Sequence, residues 1–324
     1  MIRTCDPATG APLAVYLEHT STERAAMITA AARAQRGWQE MAVDERGAAL
    51  HAAAALLTAR TDDYAELITR EMGKPIAYAR AEVSECAAIL RRHAGQPPST
   101  PIGPVLAVTS WMNPFQQVLC LSAPELMAGA AVLVQPAPNV TGCALALEQL
   151  LTDAGCPAGV FAAVLASESI ADDLAADPRI SRVVGGDAAA VPVGSCPADD
   201  VPDAVAAALR GLAVPHLVVT GPVPGRAIVE TVARLRVGDP FDPETDIGPL
   251  ALPDLVHDLD QQVAGLIAAG ARLVTGGRRV DRAGWYYAPT VLVFPDGVAP
   301  PAELPPGPVV IIRPGRPGEG RAAR

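Results

Sequence analysis

The chain has 324 residues, half of them apolar but only 4% aromatic, so its core must be built mainly from alanine, valine, leucine and isoleucine. This length suits one large domain or two medium ones. The formal net charge of −10 disfavours binding to nucleic acid or to an anionic membrane surface, because like charges repel, and we expect neither as a partner.

The N-terminal part of the chain predicts three helices joined by turns. Residues 6–10 have the composition of a turn, and Ser21 offers an N-cap for the first helix. The second helix is expected to stop at Gly73, which is followed closely by Pro75. The three helices are predicted over residues 25–38, 45–69 and 76–93.

After a proline-rich connector at residues 95–104, short apolar runs alternate with segments of helical spacing. Such alternation is typical of βαβ units and of a parallel sheet. The strands are predicted at residues 105–108, 131–134, 160–165 and 180–184, and the helices between them at 115–128 and 142–154.

The composition changes after Gly185, where glycine, alanine, proline and aspartate dominate as far as Asp203. Beyond this point we predict helices at residues 204–212, 226–235 and 254–270, and strands at 217–220, 272–275, 291–294 and 309–312. The fold class is therefore α/β, with one domain over residues 1–185 and a second over 186–313. Residues 314–324 are rich in glycine, proline and arginine, and we expect a disordered tail.

The six cysteines are scattered, with neither zinc-ligand spacing nor the density of a disulfide scaffold. We therefore expect reduced thiols, no metal site and a cytoplasmic location. The first residues lack the apolar stretch of a signal peptide, and no uncharged apolar run is long enough to span a membrane.

Four segments, in this order, resemble the aldehyde dehydrogenase superfamily, and most closely its succinate-semialdehyde type. They are DPATG at residues 6–10, EMGKP at 71–75, PAPN at 136–139 and, longest, RVGDPFDPETDIGPL at 236–250. The resemblance implies a Rossmann-like domain over residues 1–185, which binds NAD or NADP in the family. It also implies that residues 186–313 are a shortened form of the family's catalytic α/β domain.

Aldehyde oxidation in this family requires a nucleophilic cysteine, a general base and a donor for the oxyanion. The motifs of the family's nucleophile and base do not occur in this sequence. By the resemblance, Met112 occupies the place of the oxyanion asparagine, and a thioether cannot donate a hydrogen bond. Asn113 could supply the donor only if the alignment slips by one residue. We therefore expect no catalytic residue by family motif.

The cofactor residues implied by the resemblance are also altered. The family's lysine before Pro-Ala-Pro is replaced by Gln135, and its Thr-Gly-Ser turn by Gly185, Gly186 and Asp187, which places an acid where a phosphate would lie. A segment starting at Glu303 lacks the phenylalanine of the family's Glu-Phe-Gly-Pro motif. We expect from this that NAD and NADP binding is weak or lost, with no cofactor.

The resemblance places the family's substrate tunnel along the helix that follows Trp111. Met112, Asn113, Gln117 and Cys120 fall on one helical stripe, since their spacing includes i,i+4 and i,i+3 steps. Their neutral chemistry suits a small apolar or weakly polar ligand better than a carboxylate. The alternative is that these side chains only fill a collapsed pocket.

Two further residues are candidates for relocated chemistry, Cys196 as a nucleophile and His216 as a base. The simpler interpretation of Cys196 is an inert loop thiol, because the neighbouring Asp199 and Asp200 disfavour a thiolate. A lone histidine beside a strand, such as His216, is usually structural.

Three functions follow as hypotheses. The first is an aldehyde-dehydrogenase-like protein without redox activity that serves as a pseudoenzyme or scaffold. The second is a non-redox catalyst that cyclises or isomerises an apolar intermediate in a bacterial biosynthetic pathway. The third is an NAD(P)-dependent aldehyde dehydrogenase with relocated catalytic residues. Because the family's oligomerisation segments are shortened, we expect a monomer or a novel dimer, with another pathway protein as a potential partner.

Overall fold

The computed structural model describes residues 1–96, 103–185, 193–197, 200–210, 216–220, 223–295 and 307–314. The chain forms two compact units. Unit 1 contains residues 1–6, 11–72 and 76–188, and unit 2 contains residues 7–10, 73–75 and 189–324. Two short N-terminal segments therefore belong to the unit that is otherwise made from the C-terminal part of the chain.

Unit 1 begins with an antiparallel hairpin of β1 (Ile2–Cys5) and β2 (Pro12–Tyr16). A helix follows, α1 (Ser21–Glu40), whose N-terminus is closed by a reciprocal capping box between Thr20 and Glu23. Three more helices complete the N-terminal part of the unit: α2 (Val43–Ala59), α3 (Thr61–Met72) and α4 (Ile76–Ala94).

A parallel four-stranded sheet forms the centre of unit 1, in the order β5-β4-β3-β6. Its strands are β3 (Val105–Val108), β4 (Val132–Gln135), β5 (Phe161–Ala163) and β6 (Arg182–Gly185). The connecting helices are α5 (Pro114–Ala128), α6 (Thr141–Asp153) and α7 (Ala171–Ala175).

Helices cover both faces of this sheet. Ile28 of α1 and Leu174 of α7 pack with Leu106 and Leu133 in one buried cluster, whereas α5 and α6 contact β3, β4 and β5 outside that cluster. Strands that are buried on both faces have nearly continuous apolar sequences, and β3 and β4 show this pattern. The fold is therefore α/β with a parallel sheet, as predicted.

Unit 2 contains a five-stranded sheet in the order β7-β8-β11-β10-β9, parallel except for β9. Apolar clusters cover both of its faces, one formed with α8 and α9 and the other with α10. The strands are β7 (Val193–Pro197), β8 (His216–Thr220), β9 (Arg272–Thr275), β10 (Thr290–Val293) and β11 (Val309–Pro314). The helices are α8 (Val201–Arg210), α9 (Gly225–Val232) and α10 (Asp254–Ala268).

The structure corrects three element predictions. The single helix expected over residues 45–69 is two helices, because Arg60 leaves the helical conformation and the acidic turn Thr61–Asp63 starts α3. The β1–β2 hairpin was not predicted. Strand β7 was also missed, since its Gly, Ser and Pro content lacks strand character.

Other expectations lie outside the described residues. They include the disorder expected at the C-terminus beyond residue 314 and most of the connector at 95–104. Among the described residues, no helix is long and apolar enough to cross a membrane.

Candidate functional site

The carboxyl edge of the four-stranded sheet in unit 1 contains a topological switch point. From β3 the chain proceeds outward to β4 and β5, and then returns to add β6 on the other side of β3. The strand order therefore reverses between β3 and β6, and a crevice is expected at the carboxyl ends of these two strands. In open α/β sheets, ligands bind in this crevice.

Gly185 ends β6 beside Val108, the last residue of β3. Its φ of +79° lies in the left-handed region, and an added Cβ would lie 2.2 Å from the Val108 carbonyl oxygen and 3.1 Å from Cδ1 of Leu121. Only glycine fits this close approach. Gly185, predicted as a remnant of the cofactor turn, is thus at the switch point, whereas Gly186 and Asp187 lie outside the described residues.

The loop after β3 carries the predicted ligand-pocket residues. Trp111 and Met112 are half-buried, and Asn113 is exposed with a φ of +49°, a left-handed conformation that asparagine tolerates better than most residues. Gln117 and Cys120 follow in α5, half-buried and exposed respectively. The structure therefore brings the predicted stripe to the start of α5, beside the carboxyl end of β3.

Gln117 is anchored to this loop through its side-chain oxygen. Ser110 donates from its backbone N–H, at 2.7 Å, and from its hydroxyl, at 3.2 Å, to Oε1 of Gln117. The Ser110 hydroxyl also accepts from the Met112 backbone N–H at 3.3 Å. These bonds hold the Gln117 amide over the turn from Ser110 to Met112.

Two buried carboxylates occupy the N-termini of α5 and α6. Oε1 of Glu82 accepts from the backbone N–H groups of Phe115, at 2.9 Å, and Gln116, at 3.1 Å. Glu71 accepts from the backbone N–H groups of Gly142, at 3.0 Å, and Cys143, at 2.9 Å. Helix N-termini attract anions, and at α5 and α6 the anions are carboxylates of the protein itself.

Burial raises the pKa of Glu71, and the hydrogen bonds from Cys143 and Gly142 oppose that rise. A Cβ added at Gly142 would lie 2.6 Å from Oε1 of Glu71, so any larger residue there would displace this carboxylate. Sequence analysis did not identify either carboxylate cap. The EMGKP segment contains Glu71, but nothing local indicates its partners 71 and 72 residues further on.

Gln135 ends β4 next to the switch point and is buried. Its Nε2 donates to the Ser167 carbonyl oxygen at 2.9 Å, in the loop after β5. Its Oε1 is buried and has no partner among the described residues. A buried acceptor without a donor is costly, so this oxygen is suited to receive a ligand hydroxyl such as that of a ribose.

Four of the cysteines, Cys86, Cys120, Cys143 and Cys156, lack the features of an activated thiol. Burial raises the pKa of Cys120; nearby Arg92 lowers it by a smaller amount, and Glu85 adds to the rise. Burial raises the pKa of Cys156 to about 12. Cys86 and Cys143 are buried. Thiolates react and thiols do not, so none of these four resembles an activated nucleophile.

The two candidates for relocated chemistry both lie in unit 2. Cys196 is the fourth residue of β7, and His216, the first residue of β8, pairs with Val193. The backbones of Cys196 and His216 are thus three residues apart along parallel strands, or about 10 Å. This separation disfavours a direct nucleophile–base pair. Glu303 lies outside the described residues.

A parallel sheet with helices on both faces and a switch-point crevice is the architecture of nucleotide-binding α/β proteins. The profile of the aldehyde dehydrogenase family matches residues 1–205 and 225–315. The chain therefore belongs to the aldehyde dehydrogenase family, as the sequence motifs predicted.

Several relatives are enzymes with an assigned substrate. The chain is 32% identical over 344 residues to a probable succinate-semialdehyde dehydrogenase [NADP(+)] of Synechocystis, an alignment that covers 90% of this chain and 76% of the relative. It is also 32% identical over 340 residues to the succinate semialdehyde dehydrogenase [NAD(P)+] Sad of Escherichia coli, covering 89% and 74% of the two chains.

Solved structures show the same fold. An NAD-dependent aldehyde dehydrogenase from Sinorhizobium meliloti superposes with a TM-score of 0.88 at 25% identity, covering 98% of this chain and 75% of the other. The succinic semialdehyde dehydrogenase of Streptococcus pyogenes, solved with NADP+ as the cofactor, has a TM-score of 0.86 at 22% identity, covering 98% and 82%.

The expectation that the protein has no cofactor is wrong. The relatives are dehydrogenases that use NAD or NADP, and this points to a nucleotide cofactor here. That expectation rested on three changes: Gln135 in place of a lysine, Asp187 in the phosphate turn, and the missing phenylalanine in the segment that starts at Glu303. Of Gln135, Asp187 and Glu303, only Gln135 lies within the described residues. A neutral amide still has an oxygen that can accept from a hydroxyl, and in this structure that oxygen is buried and has no donor among the described residues.

Proposed function

We propose that the protein binds a nicotinamide dinucleotide at the carboxyl edge of the unit 1 sheet and oxidises a small aldehyde to the acid. The observation that carries this proposal is the unpartnered Oε1 of Gln135 beside the switch point, in a chain similar to NADP-dependent dehydrogenases. A bound nicotinamide ring would accept the hydride.

The residues at the edge fit the adenosine half of a dinucleotide. Gln135 offers its oxygen to a ribose hydroxyl, and Ser167 fixes the Gln135 amide from the opposite side. The N-termini of α5 and α6 are filled by Glu82 and Glu71 and would repel a diphosphate. The diphosphate is therefore not expected at either of these two helix N-termini.

Covalent aldehyde oxidation also needs a thiol. Cys86 and Cys143 are buried, and burial raises the pKa of Cys120 and Cys156, which leaves Cys196 and the hairpin residue Cys5. Of these two, Cys196 is the nucleophile to test first, because it is near the carboxyl end of the parallel strand β7 in unit 2.

A second candidate is a member of the family that keeps the crevice but performs no redox chemistry. It would act as a scaffold, or would cyclise or isomerise an apolar ligand. Met112, which stands at the family's asparagine position and cannot donate a hydrogen bond, favours this candidate, as do the unactivated thiols.

The test has two stages. Calorimetric titration with NADP+ and NAD+ should show saturable binding, and Gln135→Leu should weaken it about three- to tenfold, the effect of one neutral hydrogen bond. Gln149→Leu is the matched control, because Gln149 is exposed on α6 and, among the described residues, its side chain bonds to Asp153 alone.

In the second stage, aldehyde-dependent reduction of the dinucleotide is measured by absorbance. Turnover that disappears in Cys196→Ala supports the oxidoreductase. Dinucleotide binding without turnover of any aldehyde supports the second candidate. Equal weakening of binding by the Gln135 and Gln149 substitutions would contradict the assigned ribose contact.

A further inference from the structure

A groove lies between the first turns of α1 and α7 on one face of the unit 1 sheet. Its volume of about 230 Å³ is below the roughly 300 Å³ at which pockets for drug-sized ligands begin, so a ligand here would be small. Ile28 and Leu174 supply its apolar lining, and both are buried in the cluster that covers this face. The crevice residues Gly185 and Gln135 are not among the described residues that line it. Hereafter it is called the α1–α7 groove.

Two opposite charges face the α1–α7 groove from its two sides. Arg24 lies on α1 and is half-buried, whereas Asp173 lies on α7 and is exposed. Although both line the same groove, neither side chain forms an ion pair with any residue that the structure describes. A ligand that carries both charges can pair with each of them.

The Arg24 guanidinium is anchored to the segment that precedes α1. Its Nη1 donates to the His19 carbonyl oxygen at 2.6 Å. His19 is itself bonded to Leu165 in the loop after β5, through its backbone N–H at 2.8 Å and through Nδ1, which accepts at 3.0 Å. Glu18, which is within electrostatic reach of Arg24, is paired with the N-terminal amino group. Because a guanidinium has several N–H donors in a fixed fork, the remaining ones can bind a carboxylate.

A second arginine holds the two sides of the groove together. Arg179 pairs with Asp177, the other carboxylate of the groove, through Nη2 at 2.6 Å and Nε at 2.8 Å. Its Nη1 also donates to the Ala25 carbonyl oxygen at 3.2 Å and to the Thr29 hydroxyl at 2.7 Å, both on α1. The segment after α7 is thus fastened to α1, and Asp173 is the carboxylate of the groove that stays available to a ligand.

We propose that the α1–α7 groove binds a small zwitterion, namely an α-amino acid with an aliphatic side chain. Arg24 binds the carboxylate, together with the hydroxyl of Ser21 one turn earlier on α1, and Asp173 binds the ammonium group. The aliphatic chain lies against Ile28 and Leu174. An α-amino acid carries both charges at one end, which suits a groove whose charged side chains are accessible and whose apolar residues are buried. This second ligand site goes beyond the proposed dehydrogenase function.

The experiment titrates the full chain calorimetrically with L-leucine and with two analogues that each lack one charge. L-Leucinamide has no carboxylate, and 4-methylpentanoate has no ammonium group, while both keep the aliphatic chain. We expect saturable binding of leucine at submillimolar to millimolar concentration and binding of each analogue about three- to tenfold weaker. Absence of leucine binding, or an analogue that binds as tightly as leucine, would overturn the proposal.

Variants assign each charge of the ligand to its partner. Arg24→Met should weaken leucine about tenfold without weakening leucinamide, which has no carboxylate to lose. Asp173→Asn should weaken leucine about threefold without weakening 4-methylpentanoate, because an exposed ion pair contributes less. Arg33→Met and Asp172→Asn are the controls, since both residues are exposed on the same two helices and neither lines the groove. If Arg24→Met weakens leucine and leucinamide equally, Arg24 does not bind the carboxylate and the proposal is wrong.

Titrations with NADP+ separate this site from the crevice. Leucine should still bind in the presence of saturating NADP+, because the groove and the crevice have different linings. Loss of leucine binding under these conditions would place leucine in the crevice and contradict the proposal. The dinucleotide is also titrated alone, so a failure of the proposed function would appear as missing NADP+ binding, whereas the leucine titrations without NADP+ still decide this inference.

Discussion

Replacing Glu82 by alanine tests how the N-terminus of α5, and with it the edge of the crevice, is held. The carboxylate oxygen that accepts from Phe115 and Gln116 would be lost, leaving two backbone N–H groups without an acceptor. Each such group costs about 1–3 kcal/mol when it is buried. Because Gln116 is half-buried and water can reach it, we expect a loss of about 2–4 kcal/mol in the free energy of unfolding.

The assay is urea unfolding followed by circular dichroism, with two matched variants. Glu82→Gln should lose no more than about 1 kcal/mol, because one oxygen accepts both bonds and only the charge at the helix terminus is removed. Glu85→Ala, on the same helix, breaks an exposed pair with Arg92 and should cost about 0–1 kcal/mol. If Glu82→Ala costs no more than Glu85→Ala, Glu82 does not cap α5 in solution.

Four further predictions concern the crevice and the thiols. Gly185→Ala should lower the free energy of unfolding by about 1–3 kcal/mol, because alanine is strained at this φ and its Cβ overlaps the Val108 carbonyl oxygen. The measurement is urea unfolding, and an unchanged midpoint would refute the close approach. Since burial raises the pKa of Cys120, its alkylation by iodoacetamide should reach half its maximal rate at a higher pH than that of a free peptide thiol, and a profile matching the peptide would contradict this. The pKa of Cys156 is raised to about 12, so in the folded protein Cys156 should stay unlabelled at pH values where Cys120 is alkylated. Mass spectrometry of the labelled sites should show Cys156 labelled only after the protein is unfolded. Cys196→Ala should abolish aldehyde oxidation in the absorbance assay while Cys120→Ala retains it, and the reverse result would relocate the nucleophile.

The regular parts of the fold could be predicted because their signals are local. Apolar runs such as residues 105–108 and 131–134 alternate with helical spacing, and this pattern alone indicates a parallel sheet. The α2–α3 break was missed, because helical spacing continues through Arg60 and conceals it. Strand β7 was missed because pairing in the sheet, rather than intrinsic propensity, determines its conformation.

The site could be predicted only in part. The α5 stripe follows from helical spacing, and the structure places it at the crevice. The carboxylate caps are long-range contacts, since Glu71 and Gly142 are 71 residues apart, and such pairs leave no periodic pattern. The cofactor prediction failed for a different reason. It rested on single-residue changes at Gln135, Asp187 and the segment starting at Glu303, whereas the relatives of this chain use NAD or NADP.

The most direct test of the account is calorimetric titration of the purified chain with NADP+ and NAD+. We predict saturable binding of at least one dinucleotide at micromolar to submillimolar concentration, weakened by Gln135→Leu and not by Gln149→Leu. No binding of either dinucleotide at millimolar concentration would contradict the proposed crevice and remove the basis for an oxidoreductase.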